Sequence, residues 1–205
     1  MRPAREQATS NGQTYMITSS TWGRRALFSR EVWAKLLIAT LHHYRGNVYL
    51  LHEFVVMPDH IHVILTPKTS LEKAVQFIKG GFSFRVKKEL SSRMEVWQKG
   101  FSDHRIRDAS DYRIHRLYIQ QNPVRKHLCE HTEQYPHSSA RDGFELDSPP
   151  QGLKPTPLEE PSTARLEGVP FQNETGSGAP EGKSFQSEIS FRGAARANPT
   201  KSKTA

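Results

Sequence analysis

The chain has 205 residues, 35% of them apolar and 9% aromatic, and 29 Lys and Arg against 21 Asp and Glu give it a net charge of +8. This length fits one domain of ordinary size and argues against a large two-domain enzyme. The single cysteine, Cys129, excludes an intrachain disulfide or a Cys-based zinc or iron-sulfur site, and favours a reducing cytosol. Because no stretch has the apolar character of a signal peptide or a membrane span, we expect a soluble protein that makes no membrane contact.

The composition changes at Ser148. Residues 148–205 hold 8 of the 13 prolines and only three aromatic residues, so they bury too little apolar surface to offset chain entropy, and we expect disorder. Residues 1–13 are predicted to be a polar leader and residues 14–147 the folded domain. Residues 1–147 carry 22 basic and 15 acidic side chains and all ten histidines. This excess of positive charge suits a polyanionic partner, but a merely soluble basic domain would show it too.

The hydropathy pattern of the folded segment predicts seven elements. In chain order they are a strand over 14–20, a helix over 30–45, strands over 48–57 and 60–66, a helix from 71, a strand over 96–106 and a helix from about 110 to 122. The turn signal Pro58-Asp59 predicts that the second and third strands pair as an antiparallel hairpin. The order β-α-β-β-α-β-α is typical of a ferredoxin-like split βαβ fold, an α+β class in which two helices cover one face of an antiparallel sheet. An extra C-terminal helix follows.

Local signals predict where the helices begin and end. The predicted N-cap residues are Ser29, Ser70 and the pair Ser110-Asp111. Pro123 disfavours helical geometry in the residue before it, so the last helix should stop at Asn122. The pair Gly80-Gly81 inside the second helix costs about 1 kcal/mol per residue relative to alanine, which indicates a kink or a close approach of another backbone or side chain there.

The sharpest chemical feature is the sequence His60-Ile61-His62 on the third predicted strand. Strand side chains alternate, so the two imidazoles point to one face while Ile61 turns into the core. Two imidazoles at this spacing can bind one divalent metal ion, although a structural or surface pair would have the same pattern. A metal ion needs further ligands, and the sequence has neither a cysteine group nor an HExxH helix to supply them.

The second feature is the sequence Tyr118-Ile-Gln-Gln-Asn122 at the end of the last predicted helix. Residues four apart lie one turn above each other, so Tyr118 and Asn122 share a helix face. One could act as a nucleophile while the other coordinates a cation. Alternatively, Tyr118 is a core aromatic residue and Asn122-Pro123 only stops the helix. Gln121 lies about 100° around the helix and is the poorer candidate ligand.

Five sequence blocks together resemble a known family. They are MPDHIHVIL, FIKGGFSFRV, WQKGFSDHRIRD, YIQQNPVR and YPHSSA, in this order within residues 14–140. Their combination resembles the single-tyrosine HUH transposases of the IS200 type, and in particular the REP-associated tyrosine transposases. An HxH pair alone is a common chance match, whereas all five blocks in order are not. The resemblance leaves residues 148–205 unexplained.

The resemblance implies a metal-dependent endonuclease and strand transferase that acts on single-stranded or hairpin DNA through a 5′-phosphotyrosine intermediate. It implies that His60 and His62 are metal ligands and that Tyr118 is the nucleophile. Asn122 stands where IS200 enzymes usually carry a third ligand, Gln, and is one methylene shorter, which leaves the metal geometry open. The implied cofactor is Mg²⁺ or Mn²⁺, acting as a Lewis acid on the phosphate.

Basic residues in the family-like blocks are predicted to contact DNA. The predicted DNA-binding residues are Lys79, Arg85, Lys87, Arg105, Arg107, Arg113 and Arg116. Solvated helix faces would explain many of these charges equally well. Trp22, Trp97 and Phe101 could stack on unpaired bases, although each could instead be a core residue. No role follows from the sequence for His104.

Two other functions remain open at this point. A domesticated relative could bind DNA hairpins without catalysis, and a metal phosphoesterase could use water as its nucleophile while Tyr118 is only structural. The sequence also leaves open whether a homodimer completes the site. A transposase-like protein is expected in the bacterial cytosol or associated with the nucleoid.

Overall fold

The computed structural model describes residues 12–150, which form a four-stranded antiparallel sheet and three α-helices. The elements are β1 (Tyr15–Ser20), α1 (Glu31–Tyr44), β2 (Tyr49–Met57), β3 (His60–Pro67), α2 (Leu71–Glu89), β4 (Ser102–Arg105) and α3 (Ala109–Arg125). The strand order is β2-β3-β1-β4, and each neighbouring pair is antiparallel. The predicted element order and the ferredoxin-like α+β class are confirmed.

Alternate residues of the sheet face two separate apolar cores. Ile17 and Ile61 belong to the larger core, together with the buried residues of α1 and α2. Met16 and Ile64 face the other way and pack with Ile119 of α3 in the smaller core. Because strand side chains alternate, α1 and α2 cover one face of the sheet and α3 covers the opposite face.

The β2–β3 hairpin forms with the antiparallel pairing that the turn signal predicts. Its connection is Pro58-Asp59, and loops that follow β1 hold this turn in place. The carbonyl oxygens of Pro58 and Asp59 accept hydrogen bonds from the backbone N–H groups of Phe28 and Thr21, each at 2.9 Å. The backbone just before His60 is therefore held by these two hydrogen bonds as well as by the pairing of β2 with β3.

The helix caps agree with the sequence only in part. Ser70 caps α2 as predicted, because its hydroxyl oxygen accepts a hydrogen bond from the backbone N–H of Lys73 at 3.1 Å. The prediction for Ser29 is wrong. Ser29 lies in a short 3₁₀ turn, Leu27–Ser29, and Arg30 occupies the N-cap of α1 without a capping side chain.

The glycine pair in α2 marks a close helix contact. The helix continues through Gly80 and Gly81 as one element. A Cβ atom at Gly81 would lie 2.6 Å from the ring of Tyr44 on α1, so any larger residue there would displace this ring. The close approach predicted at this pair is confirmed, and it allows α1 and α2 to pack side by side.

The predicted start of the last helix is wrong by two residues. Asp108 is the N-cap of α3, and its carboxylate accepts a hydrogen bond from the backbone N–H of Asp111 at 2.9 Å. Asp111 is thus the third residue of the helix. Its own carboxylate accepts a hydrogen bond from the backbone N–H of Arg107 at 3.0 Å, which also stabilises the helix start.

The predicted stop at Asn122 is also wrong, because α3 continues through Pro123 to Arg125. Both Asn122 and Pro123 are buried, so packing overrides the local preference of a residue before proline. The helix ends where His127 adopts a left-handed backbone, with φ of 54°. The N–H of Leu128 then donates to the Pro123 carbonyl oxygen at 2.9 Å, which is the pattern of a Schellman cap.

The fourth strand is shorter than predicted. Only Ser102–Arg105 of the predicted span 96–106 pairs continuously with β1. Trp97 makes an isolated bridge with Thr21, and Gly100, with φ of 72°, separates this bridge from the strand. A residue in the left-handed region cannot continue an extended strand, which explains the break.

After α3, residues 135–147 run along the outer edge of β2, and we call them the C-terminal segment. The N–H of Val56 donates to the His137 carbonyl oxygen, and the N–H of Ser139 donates to the Phe54 carbonyl oxygen, both at 2.9 Å. The sequence did not predict this pairing. It covers a strand edge that would otherwise be open to another chain.

The predicted domain borders fall partly beyond the residues that the structure describes. Residues 1–11 of the predicted leader and residues 151–205 of the predicted tail lie outside them. Within residues 12–150, none of the helices is both long enough and apolar enough to cross a membrane.

Candidate active site

The two histidines of β3 converge on the face of the sheet that α3 covers. Ile61 is fully buried in the opposite core, as the alternation predicts, and this leaves His60 and His62 on the α3 side. Their Nε2 atoms are 3.1 Å apart. Two nitrogen ligands that each lie about 2.1 Å from one metal ion are separated by about 3.0–3.4 Å, so this spacing fits a shared cation.

Both imidazole rings are held by a hydrogen bond at the opposite nitrogen. His60 Nδ1 donates to the carboxylate of Asp59 at 2.6 Å, which leaves the lone pair of a neutral ring on Nε2. His62 Nδ1 shares a hydrogen bond with the Thr18 hydroxyl at 2.7 Å. Arg24 lies 3.3 Å from the other oxygen of Asp59. Metal-binding histidines typically have such partners, because these set the ring orientation and the tautomer.

The local electrostatics favour neutral rings. His62 is only 4% exposed, and burial holds its pKa well below the usual value, with the nearby His60 adding to the effect. Burial also lowers the pKa of His60, although Asp59 opposes the shift. Burial raises the pKa of the Asp59 carboxyl, but the hydrogen bond from His60 and the charge of Arg24 outweigh it, so the pKa is lowered overall. A neutral imidazole offers the lone pair that a metal ion requires.

Helix α3 places Tyr118 beside this histidine pair. The rings of Tyr118 and His62 have their centroids 5.3 Å apart and meet edge to face at 74°. The Arg125 guanidinium lies 5.6 Å from the centroid of the same tyrosine ring. Asn122, one turn after Tyr118 on the same helix face, is only 5% exposed. The structure therefore brings a phenol and a paired imidazole site together from two elements far apart in sequence.

Contacts with β2 hold α3 against the sheet. Arg116 Nε lies 2.8 Å from the carboxylate of Glu53, whose side chain is only 5% exposed. The other oxygen of Glu53 accepts a hydrogen bond from the Ser139 hydroxyl at 2.8 Å. Tyr112 and Ile119 pack in the smaller core. The position of Tyr118 thus depends on a buried carboxylate as well as on apolar packing.

The predicted DNA-binding residues divide between the two faces of the sheet. Lys79, Arg85 and Lys87 lie on α2, on the face opposite His60 and His62. Lys79 Nζ donates to the carbonyl oxygens of Gln98 at 2.8 Å and Gly100 at 2.6 Å, and burial lowers its pKa. Arg85 pairs with Glu89 one turn later at 2.7 Å. Lys79 and Arg85 therefore already have intramolecular partners.

The remaining predicted DNA contacts lie on or near α3. Arg105, Arg107 and Arg113 are exposed, whereas Arg116 makes the ion pair with Glu53. The suggestion that Trp97 stacks on bases is wrong, because its side chain is 7% exposed and packs between aromatic rings of the larger core. Trp22, by contrast, is 41% exposed.

Several residues at or near the site were not found from the sequence. Thr18, Asp59 and Arg125 contact the histidines or the tyrosine, and only Asp59 carries a sequence signal, since it directly precedes His60. His104, Asp111 and His115 form a second group at the start of α3, which we call the β4–α3 histidine cluster. Asp111 and His115 are one turn apart on α3, whereas His104 lies on β4, so only the fold shows that His104 meets the other two.

A ferredoxin-like sheet whose paired histidines face a tyrosine on an added helix is the arrangement that the resemblance to single-tyrosine HUH transposases implies. A family model described as IS200-like transposase matches residues 9–122. The REP-associated tyrosine transposase of Escherichia coli (strain K12) is 28% identical over 134 residues, which cover 62% of this chain and 76% of that protein.

A solved structure supports the same conclusion. It is described as a REP-associated tyrosine transposase bound to a REP hairpin, and it matches with a TM-score of 0.53 and 25% identity over 68% of this chain and 81% of that chain. The chain belongs to the IS200-like transposase family, and the resemblance to REP-associated tyrosine transposases predicted from its motifs is confirmed.

Proposed function

We propose that this chain is a metal-dependent enzyme that cleaves and rejoins single-stranded DNA beside hairpins, with Tyr118 as the nucleophile. The observation that carries the proposal is the convergence of His60 and His62, 3.1 Å apart at Nε2, with the ring of Tyr118 packed against His62. The hairpin substrate is supported by the solved relative, which is bound to a REP hairpin. The exposed arginines near α3 provide charge for a phosphate backbone.

His60, His62 and the amide oxygen of Asn122 would hold the ion, Mg²⁺ or Mn²⁺. A bound cation of this kind acts as a Lewis acid that stabilises negative charge on the phosphate oxygens and on the phenolic oxygen. Asp59 keeps the proton of His60 on Nδ1, so that Nε2 remains available. Thr18 can do the same for His62 by accepting its Nδ1 proton, since the pair lies at 2.7 Å.

Tyr118 would carry the covalent step. Its phenolic oxygen, once it has lost its proton, attacks the phosphorus of a phosphodiester. A bond forms between this oxygen and phosphorus, the bond from phosphorus to the 3′ oxygen breaks, and the 3′ oxygen leaves and takes up a proton. The enzyme then holds the 5′ end as a phosphotyrosine. Because the ester conserves the bond energy, attack by a 3′-hydroxyl can rejoin DNA without ATP.

The direct test is to incubate the full chain with end-labelled hairpin oligonucleotides that carry single-stranded flanks, in the presence of Mn²⁺ or Mg²⁺. We expect a protein-DNA adduct that resists denaturation and carries label from the 3′ side of the cut, because the phosphotyrosine holds the 5′ end of that fragment. Tyr118→Phe should abolish the adduct and leave hairpin binding, measured by gel shift, within about twofold of the unmodified chain. Metal removal with a chelator should also abolish the adduct.

Tyr44→Phe is a matched control, because it also removes one tyrosine hydroxyl. Tyr44 lies on α1, which covers the opposite face of the sheet. This variant should form the adduct normally. Cleavage that survives Tyr118→Phe without a covalent adduct would show that water is the nucleophile. Metal-independent hairpin binding without any nicking would show a binding protein instead, and either result overturns the proposal.

A further inference from the structure

The β4–α3 histidine cluster joins three metal-ligating side chains outside the paired histidines. His104 Nε2 lies 3.0 Å from one carboxylate oxygen of Asp111, and His115 Nδ1 lies 2.9 Å from the other. One ligand atom from each residue can be chosen so that all three lie within 4.8 Å of one another. The two imidazole rings stack at 4.1 Å between centroids, with an angle of 18° between their planes. The carboxylate of Asp111 therefore contacts both imidazole rings.

The donor set and its spacing suit a transition-metal ion. Nitrogen and oxygen ligands that each lie about 2.1 Å from one ion are separated by about 3.0–3.4 Å, and the two nitrogen-to-oxygen distances in this cluster, 3.0 and 2.9 Å, are close to that range. Two imidazoles and one carboxylate favour ions such as Zn²⁺ or Co²⁺, whereas Mg²⁺ prefers oxygen ligands. His115 Nδ1 lies 2.8 Å from the Asp111 carbonyl oxygen as well as 2.9 Å from the carboxylate, so it carries a proton there, which the ion must displace. Because the two rings are stacked, one ring must also rotate about its χ2 angle to direct both nitrogens at a shared ion. The His104 side chain is 37% exposed, which leaves it room to rotate.

The cluster lies along the helix face that carries Tyr118. Asp111, His115, Tyr118 and Asn122 follow one another at spacings of four, three and four residues, so they form one stripe on α3. Asp111 and Tyr118 are separated by seven residues, a rise of about 10 Å. All three members of the cluster are partly exposed. An ion held there could retain open positions for water or for a phosphate oxygen of a strand lying along the stripe.

We propose that His104, Asp111 and His115 form a second divalent metal site, selective for a transition metal and independent of His60 and His62. The site is supplied by β4 and by the first turns of α3, and binding of the ion links these two elements. It requires no DNA, so it can be tested on the protein alone.

The test uses the full chain with His60→Ala and His62→Ala, so that the paired histidines contribute no ligand. Titration with Co²⁺, followed by visible absorption, should show one equivalent bound per chain. Titration with Zn²⁺, followed by calorimetry, should give the same stoichiometry, and Mg²⁺ should not compete. Adding His104→Ala or Asp111→Asn to this background should weaken binding at least tenfold. The matched control is His43→Ala, which removes an exposed imidazole from α1 and should change nothing.

Circular dichroism checks that each variant is folded. If Asp111→Asn fails to fold, His104→Ala still decides, because it removes a partly exposed side chain. The stoichiometry is also measured in otherwise unmodified chains, where His104→Ala should remove one bound Zn²⁺ equivalent. No saturable binding in the His60→Ala, His62→Ala background would show that the cluster is only a hydrogen-bonded contact between β4 and α3. Binding that survives loss of His104 and His115 would also overturn the proposal.

Discussion

At the scale of single residues, the two histidines of β3 differ in their partners although they share a face. His60 donates to the carboxylate of Asp59, whereas His62 shares a hydrogen bond with the neutral hydroxyl of Thr18. A carboxylate partner raises the basicity of an imidazole ligand more than a hydroxyl does, because it stabilises positive charge on the ring. His60, the more exposed of the two histidines, is therefore the one whose ring is made more basic by its hydrogen-bond partner. Asp59 belongs to the two-residue hairpin turn, so the turn supplies both the geometry and the charge.

Replacing Asp59 tests this role. We expect Asp59→Ala to raise the Mn²⁺ concentration needed for half-maximal adduct formation by about 10- to 100-fold, because His60 loses the group that fixes its tautomer and orientation. The measurement is the adduct assay repeated over a range of Mn²⁺ concentrations. Asp142→Ala, which removes an exposed carboxylate from the C-terminal segment, is the control. Equal metal dependence of the two variants would show that Asp59 does not position the ligand.

At the scale of elements, α3 is held on the sheet by an ion pair between Arg116 of α3 and Glu53 of β2. Glu53 of β2 is buried, and its two carboxylate oxygens are engaged by Arg116 of α3 and Ser139 of the C-terminal segment. Without Arg116, the carboxylate would keep only the serine hydroxyl. Arg116 was predicted as a DNA contact, but this geometry gives it a structural partner within the protein.

Replacing Arg116 should therefore destabilise the fold. We expect Arg116→Met to lower the free energy of unfolding by about 1 kcal/mol, less than for a fully buried pair, because the arginine side chain is 50% exposed and solvent screens its charge. Urea denaturation at neutral pH measures the change. Arg113→Met, at an exposed position of the same helix, should stay within about 0.5 kcal/mol of the unmodified chain. Equal stability of the two variants would contradict a structural role for Arg116.

The β2–β3 hairpin and the end of α3 differ in how far local sequence patterns predict them. The alternation of His60, Ile61 and His62 and the short turn before them are local patterns, so they predict both the hairpin and the face that the histidines occupy. The end of α3 was missed because a rule about residues before proline is a local preference, which burial of Asn122 and Pro123 overrides.

Contacts between distant segments could not be predicted. The pair of Arg116 and Glu53 is separated by 63 residues, and nothing local in the sequence connects them. The same holds for Thr18 and His62, which are 44 residues apart. The resemblance to a family identified the histidines and the tyrosine as candidate site residues, whereas Thr18 and Arg125, which contact them, emerge only from the fold.

At the scale of the whole molecule, the C-terminal segment completes the sheet at the β2 edge. The carboxylate of its last residue, Asp147, accepts hydrogen bonds from Leu51 and Arg45. One carboxylate oxygen accepts hydrogen bonds from the Leu51 N–H at 2.7 Å and from Arg45 Nε at 3.1 Å, and the other accepts from Arg45 Nη2 at 3.1 Å. Arg45 directly follows α1, so this contact joins the end of the segment to the first helix and the second strand.

The pH dependence of stability should report this contact. Burial raises the pKa of Asp147, but hydrogen bonds from Arg45 and Leu51 outweigh it, so the pKa lies below the ordinary value of 3.8. A group whose pKa is lowered by folding stabilises the protein above its unfolded pKa and loses that effect as the pH falls through the folded pKa. Asp147→Asn should therefore lower the free energy of unfolding by about 1.5–3 kcal/mol at neutral pH, the range for hydrogen bonds to a charged group.

The difference between Asp147→Asn and the unmodified chain should shrink as the pH falls below 3.8, because the unmodified carboxylate then becomes protonated too. Urea denaturation of both proteins over a series of pH values measures this difference. Asp142→Asn corrects for the loss of a charge at an exposed position of the same segment. A difference that stays constant from neutral pH to well below 3.8 would show that Asp147 acts through its shape and not through its charge. The segment would then be held to the sheet without any contribution from the charge of Asp147.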